Sequence, residues 1–457
     1  MRQGGVPLRQ STRQHTPRAV CARGHRELLP LPGPRILREM AHSLQITAAR
    51  VNPELLDLPW QLPLDTWPDD IVAALPRGIS RHVVRFVHLG GRVIAVKEIG
   101  EKVAYHEYEM LRNLIRVDAP AVEPIAVITG RVTPQGEPLN PALVTEHLSY
   151  SLPYRAVFGR HQRPATVGRL IDALTVLMVR LHLLGFFWGD VSLSNTLFRR
   201  DAGEFAAYLV DAETGEMYDE LSEGMRLYDI DVARTNIIGE LMDLQAGGIL
   251  PEEVDTVEIG NAFVQRYEEL WGELTKETSF GLDERWRVND RVKRLNDLGF
   301  DVSELSMVTD LEGAHISIQP MVVDAGHFSR QIMRLTGMDV EENQARRMMH
   351  DMEQYRAITG QSDAPLSLVA HDWLTNVFEH AVSRVPRELS GKLEPAEIFH
   401  QLLDHRWFIS EKAHKDIPLD EAICSFIDNV LRHRRDERSY IGMDTEELEG
   451  LNSDEIY

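Results

Sequence analysis

Cysteine is nearly absent from this 457-residue sequence, and the two present, Cys21 and Cys424, lie far apart. That excludes a disulfide framework and a cysteine zinc site as organising principles. A reducing cytoplasm is the simplest compartment. Long hydrophobic runs are missing too. A membrane helix needs roughly 20 consecutive apolar residues, and the stretch Leu181–Trp188 is interrupted by His182 and Gly185. No integral membrane segment is expected. Basic charge is scarce: 49 Lys+Arg face 71 Asp+Glu, for a net charge of -22. Sequence-independent nucleic-acid binding and adsorption to anionic lipid both need a basic surface, so no nucleic-acid partner is expected. The His-Glu-x-x-His spacing of a zinc helix is absent as well. His371, His380, His400 and His405 therefore read as ordinary surface or core residues.

What is present divides the chain. Residues 1–39 carry Arg2, Arg9, Arg13, Arg18, Arg23, Arg26, Arg35 and Arg38 against Glu27 and Glu39. This Arg-rich stretch reads as a disordered tail, with Met40 an alternative start. Residues 40–74 space Leu and Trp between Pro53, Pro59, Pro63 and Pro68, as in an extended segment lying on a domain surface. Arg81–His88 and Arg92–Ile99 flank Leu89-Gly90-Gly91 and predict a hairpin. Glu101–Ile115 predicts a helix, Val122–Thr129 and Ala142–Glu146 strands, and Thr166–Leu184 a helix with Leu170, Leu174, Leu177 and Leu181 on one face. Asn195–Arg200 and Phe205–Asp211 predict a second hairpin. From Pro251 the pattern is chiefly helical, including one helix over Leu366–Arg384, with a small hairpin at Glu304–Thr309 and Ala314–Gln319, and 436–457 is an acidic tail.

Chemistry concentrates between Leu75 and Asp231. Lys97 ends the apolar run Val93-Ile94-Ala95-Val96, and a lysine in a half-buried strand is costly unless paired. Glu107, four residues before Leu111 on the next helix, is the first candidate partner and Glu109 the second. In Trp188-Gly189-Asp190-Val191-Ser192-Leu193-Ser194-Asn195, Asp190 and Asn195 stand five positions apart, which lets both side chains turn into one cleft. Asp211 ends the apolar run Tyr208-Leu209-Val210 and suits a Mg²⁺ ligand, with Glu213 as an auxiliary. Asp229 and Asp231 either cap a helix or anchor the loop from beneath.

Taken in order, Lys97, Glu107, the Asp190–Asn195 loop and Asp211 resemble the protein-kinase-like superfamily, closest to its small-molecule branch of lipopolysaccharide and aminoglycoside kinases. The wider chain, with LNDLGFDVSE, RLTGMDVEENQARR and GKLEPAEIFHQLLDHRW, resembles an uncharacterised actinobacterial lipopolysaccharide-kinase-like family (DUF4032-type). The resemblance implies an α+β fold: a two-lobed kinase-like domain over 40–250 (N-lobe 70–147, C-lobe from 148), then a mainly helical extension over 251–435. It implies ATP and Mg²⁺ as cofactors, Asp190 as base, Lys97 as phosphate anchor paired with Glu107, and Asn195 and Asp211 as metal ligands. Gly78 and Ser80, with Arg77 or Arg81, would cover the phosphates, and Glu146 and His147 would form the adenine hinge. The acceptor would be a hydroxyl of a small molecule or glycan precursor. The alternative is a nucleotide-binding regulatory module whose C-terminal helices bind a protein partner. Trp188 stands where the family has histidine, and Ala212-Glu213 replaces Phe-Gly, so a phenylalanine switch is not expected.

Overall fold

The computed structural model describes residues 44–50, 52–73, 82–157, 164–281, 284, 286–297, 299–309, 315–434 and 436–437. The N-terminal tail, the acidic tail from 438 onward and the turn holding Gly78, Ser80 and Arg81 lie outside the described residues.

Five strands, β1 (Gln45–Ala48), β2 (Val84–Leu89), β3 (Arg92–Glu98), β4 (Pro124–Thr129) and β5 (Ala142–Glu146), form an antiparallel sheet in the order β1-β4-β5-β3-β2. Helix α1 (Glu101–Arg116) joins β3 to β4. Strand alternation gives the two faces separate work. Ile94, Val96, Ala126, Ile128, Ala142 and Val144 pack against Leu55, Leu58, Trp60, Leu64 and Trp67. The proline-spaced segment is thus a cover for this face. Arg131 is buried and donates to the Trp60 and Leu62 carbonyls and to Glu98, which ties the cover down. Val127 and Leu143 point the other way, into the cluster of Leu111 and Leu114 from α1.

The next part is helical around short strands: β6 (Ser151–Pro153), α2 (Tyr154–Val157), α3 (Pro164–Leu183), β7 (Phe186–Phe187), β8 (Thr196–Asp201), β9 (Glu204–Leu209), β10 (Glu216–Met217), α4 (Glu223–Ala246) and α5 (Thr256–Thr275). The heptad-like leucines of α3 are all buried. Gly185 stops that helix at φ 78°, and a Cβ there would lie 2.0 Å from the Tyr218 carbonyl oxygen. Phe263, Tyr267 and Leu274 of α5 join the same apolar cluster as α3 and α4, so the core continues past 250.

Beyond it, β11 (Thr278–Gly281), α6 (Trp286–Asp297), β12 (Phe300–Thr309) and β13 (His315–Ala325) give a three-stranded antiparallel sheet in the order β11-β13-β12. Its strands are longer than the small hairpin expected there. Helices α7 (His327–Thr336), α8 (Glu342–Ile358), α9 (Leu366–Trp373), α10 (Glu379–Ser383), α11 (Pro395–Ala413) and α12 (Leu419–Asn429) enclose a second cluster around Trp373, Phe399 and Phe426. The helix expected over Leu366–Arg384 is divided by a π turn at Leu374–Phe378. No helix among the described residues is long and apolar enough to cross a membrane. The described residues form an α+β arrangement whose elements come in the order expected from the sequence, with a C-terminal region that is helical around one small sheet.

Candidate functional site

Alternation along β3 puts Ile94 and Val96 under the tryptophan cover and turns Lys97 to the opposite face. There its ammonium meets three carboxylates: Asp211 at 2.6 Å, Glu107 at 3.2 Å and Glu213 at 3.3 Å. Glu107 sits on the buried face of α1 with its side chain 1% exposed, whereas Glu109 is exposed. The helix period therefore selects Glu107 as the partner. Burial works against the Lys97 charge, but Glu107, Asp211 and Glu213 outweigh it and hold its pKa above the ordinary lysine value. Burial first, and the Asp211 charge second, push the Glu107 carboxyl up to about 8. His82, two residues before β2, reaches Glu213 at 3.3 Å.

Ligand atoms of Glu107, Asp211 and Glu213 lie within 4.8 Å of one another, close enough to share a cation. Asp211 and Glu213 are the more accessible, with side chains 24% and 22% exposed. Hard oxygen donors carrying excess negative charge fit a Mg²⁺ ion.

The loop from Trp188 to Asn195 is held from below by α4. Asp229, fully buried, accepts the backbone N–H groups of Trp188 and Gly189, each at 2.8 Å, and His182 Nε2 at 3.3 Å. It lies inside α4, which Ser222 caps, so it anchors the loop and does not cap the helix. Burial keeps His182 neutral by lowering its pKa, and its Nδ1 accepts the Tyr267 hydroxyl at 2.8 Å. About three turns further along α4, Glu240 accepts the N–H groups of Leu193 and Ser194 at 2.7 and 3.0 Å. Asn236 Nδ2 donates to the Val191 carbonyl at 2.9 Å. Gly189 has φ 79°, and a Cβ there would crowd the Thr214 carbonyl and the Phe187 ring.

This seating brings Asp190 and Asn195 together. Asn195 Nδ2 donates to the Asp190 carbonyl at 3.0 Å and faces its Oδ2 at 3.4 Å, leaving Asn195 Oδ1 as the atom it can offer a metal. Val210 N–H donates to the Asn195 carbonyl at 3.1 Å, and the Trp188 indole donates to the Asp211 carbonyl at 2.8 Å. Trp188 thus joins the loop to the carboxylate cluster.

The expected hinge, Glu146 and His147, lies at the end of β5. Glu146 N–H donates to the Glu123 carbonyl and His147 N–H to the Val93 carbonyl, so the sheet already uses both donors. Burial pushes the His147 pKa down to about 4. Asn236, Glu240 and Tyr267 are parts of the site that the motifs did not assign.

Residues 269–431 match the family model "Domain of unknown function (DUF4032)". The matched DUF4032 segment begins inside α5 and ends past α12, which agrees with the family resemblance. None of the curated proteins matches the chain. A solved structure titled "WaaP in complex with acyl carrier protein" is similar at 14% identity and a TM-score of 0.33, covering 56% of this chain and 99% of that one. At that distance the likeness assigns no activity.

Proposed function

We propose that this chain is an ATP- and Mg²⁺-dependent phosphotransferase acting on a hydroxyl of a small molecule or glycan precursor. The observation that carries the reading is the single ionic cluster joining Lys97 of β3, Glu107 of α1 and Asp211, beside the paired Asp190 and Asn195. Phosphoryl transfer asks little of a protein beyond positioning and charge stabilisation, and these residues supply both. Lys97, steadied by Glu107, is the cation for the nucleotide phosphates. Asp211, Glu213 and Asn195 Oδ1 would hold Mg²⁺, which would offset the charge of the transferring phosphoryl group. Asp190 accepts the proton of the acceptor hydroxyl, and Asn195 Nδ2 keeps its carboxylate oriented. Because Glu146 and His147 spend their N–H groups on the sheet, an adenine contact there uses a carbonyl or the next residue, Leu148.

A second reading, a nucleotide-binding regulatory module, is favoured by Trp407 and Phe408 on α11, which are 66% and 56% exposed and present a surface for a protein partner. Calorimetry of ATP binding with and without Mg²⁺, on the wild type and Asp211→Asn, tests the site. Metal-dependent binding lost in the variant supports it, and no binding to the wild type removes the kinase reading. With binding in hand, phosphate transfer from ATP across a panel of sugar and small hydroxyl acceptors, lost in Asp190→Asn, separates the two readings.

A further inference from the structure

The β8–β9 hairpin touches two distant parts of the molecule. At its base Thr196 pairs with Leu209, Val210 bonds to Asn195, and Asp211 follows at once. At its tip, in the sixth residue pair, Asp201 pairs with Glu204. Asp201 is 2% exposed. Its carboxylate accepts the Gln344 N–H at 2.7 Å, Asn343 Nδ2 at 2.8 Å and the Asn343 N–H at 3.1 Å. Those amides belong to the first turn of α8, where N–H groups otherwise lack partners and the helix end is positive. Arg199 spans Glu341 at 3.0 Å and Glu394 at 2.5 Å. The Tyr208 hydroxyl donates to Glu341 at 2.7 Å, the Ala202 N–H to Glu397 at 3.2 Å, and Arg200 to Glu437 at 2.7 Å. Each of these partners lies beyond residue 340.

We propose that the DUF4032 segment and the residues just after it are the anchor of this hairpin, and that Asp201, Arg199 and Tyr208 are positioning residues for Asn195 and Asp211. Strand β6 pairs with β8 over Leu197–Arg199, so a third strand steadies the middle of the hairpin, whereas its tip from Arg200 to Glu204 is two-stranded among the described residues and free to twist. Six antiparallel pairs make a strut of about 20 Å. Seated in α8 and α11 at one end, it fixes the separation of Asn195 and Asp211 at the other. The catalytic consequence rests on the function proposed above, but the mechanical one does not.

Tyr208→Phe removes one charge-assisted contact, that with Glu341, and Glu341→Gln takes the charge out of two, those with Tyr208 and Arg199, without emptying a core position. Amide hydrogen exchange over 196–211 is expected to rise about tenfold in Glu341→Gln and less in Tyr208→Phe. The Val210 amide is the direct reporter, and the buried amides of α3 should not change. Mg²⁺–ATP affinity should fall several-fold while ATP affinity in EDTA stays constant. Unchanged exchange at Val210 overturns the proposal. Exchange that rises equally in α3 also overturns it, because the contacts then serve stability alone. If the wild type binds no nucleotide, the phosphotransferase reading fails. The exchange arm then decides the anchor by the same rule.

Discussion

Asp229 and Asp211 belong to one site, yet they are held in opposite ways. Asp229 is fully buried, and its oxygens are taken by two loop N–H groups and by His182. Asp211 is part-exposed and shares a single ammonium with Glu107 and Glu213, so three carboxyl groups compete for one cation. A carboxylate whose partners are backbone dipoles is scaffold, because changing its charge strands several donors at once. A carboxylate in excess over its counter-ions has room for one more cation. Residue type does not tell the two apart; the partners do.

The comparison can be broken most decisively through function without stability. Asp190→Asn should lower phosphate transfer by about 10²–10⁴-fold while leaving the urea midpoint within experimental error. A matched loss of stability would make Asp190 scaffold too. Next in size, Asp229→Ala strands two amides and His182, and about 3 kcal/mol of unfolding free energy should go. A wild-type midpoint would refute its anchoring role. Third, Mg²⁺ at a hundredfold excess over its dissociation constant should raise stability by about 2.7 kcal/mol. That rise should vanish in Asp211→Asn and survive in Glu240→Gln. Glu240→Gln itself keeps the shape but weakens two N–H contacts, for about 1 kcal/mol.

The smallest effect concerns pH. Burial first, and Glu341 second, push the Asp201 pKa from 3.8 up to about 7. The folded chain then keeps a proton that the unfolded chain has lost between those values. The stability from this group is complete below about pH 4 and declines as pH rises through 7. Denaturation between pH 5 and 8 should show a shallow slope that Asp201→Asn lacks.

The parts of the site with local signatures were legible in the sequence. Lys97 was conspicuous as a charge closing an apolar strand, Asp190 and Asn195 as polar residues at a fixed loop spacing, and Glu107 by its place on a helix face. The supports were not, because their meaning is non-local. Glu240 and Asn236 look like ordinary helix residues until the loop, more than 40 positions earlier, is laid across them. Asp229 read equally well as a cap, and only the Ser222 start of α4 removes that option. Glu146 and His147 stand where a hinge belongs, but which amides a sheet leaves free depends on pairing partners. Among fold elements, β1 escaped notice because Gln45-Ile46-Thr47-Ala48 is too short for alternation to show, and it becomes a strand only beside β4. The π turn in Leu374–Phe378 leaves the apolar spacing almost intact, so the pattern read as one helix.

Trp188 stands where these two kinds of carboxylate meet: its backbone rests on Asp229 and its fully buried indole on the carbonyl of Asp211. An indole's emission responds to the electric field across its ring. The arrival of a divalent charge beside Asp211 should therefore change the colour or intensity of this fluorophore before any chemistry occurs. Occupancy of the site can then be followed in real time on the unlabelled chain.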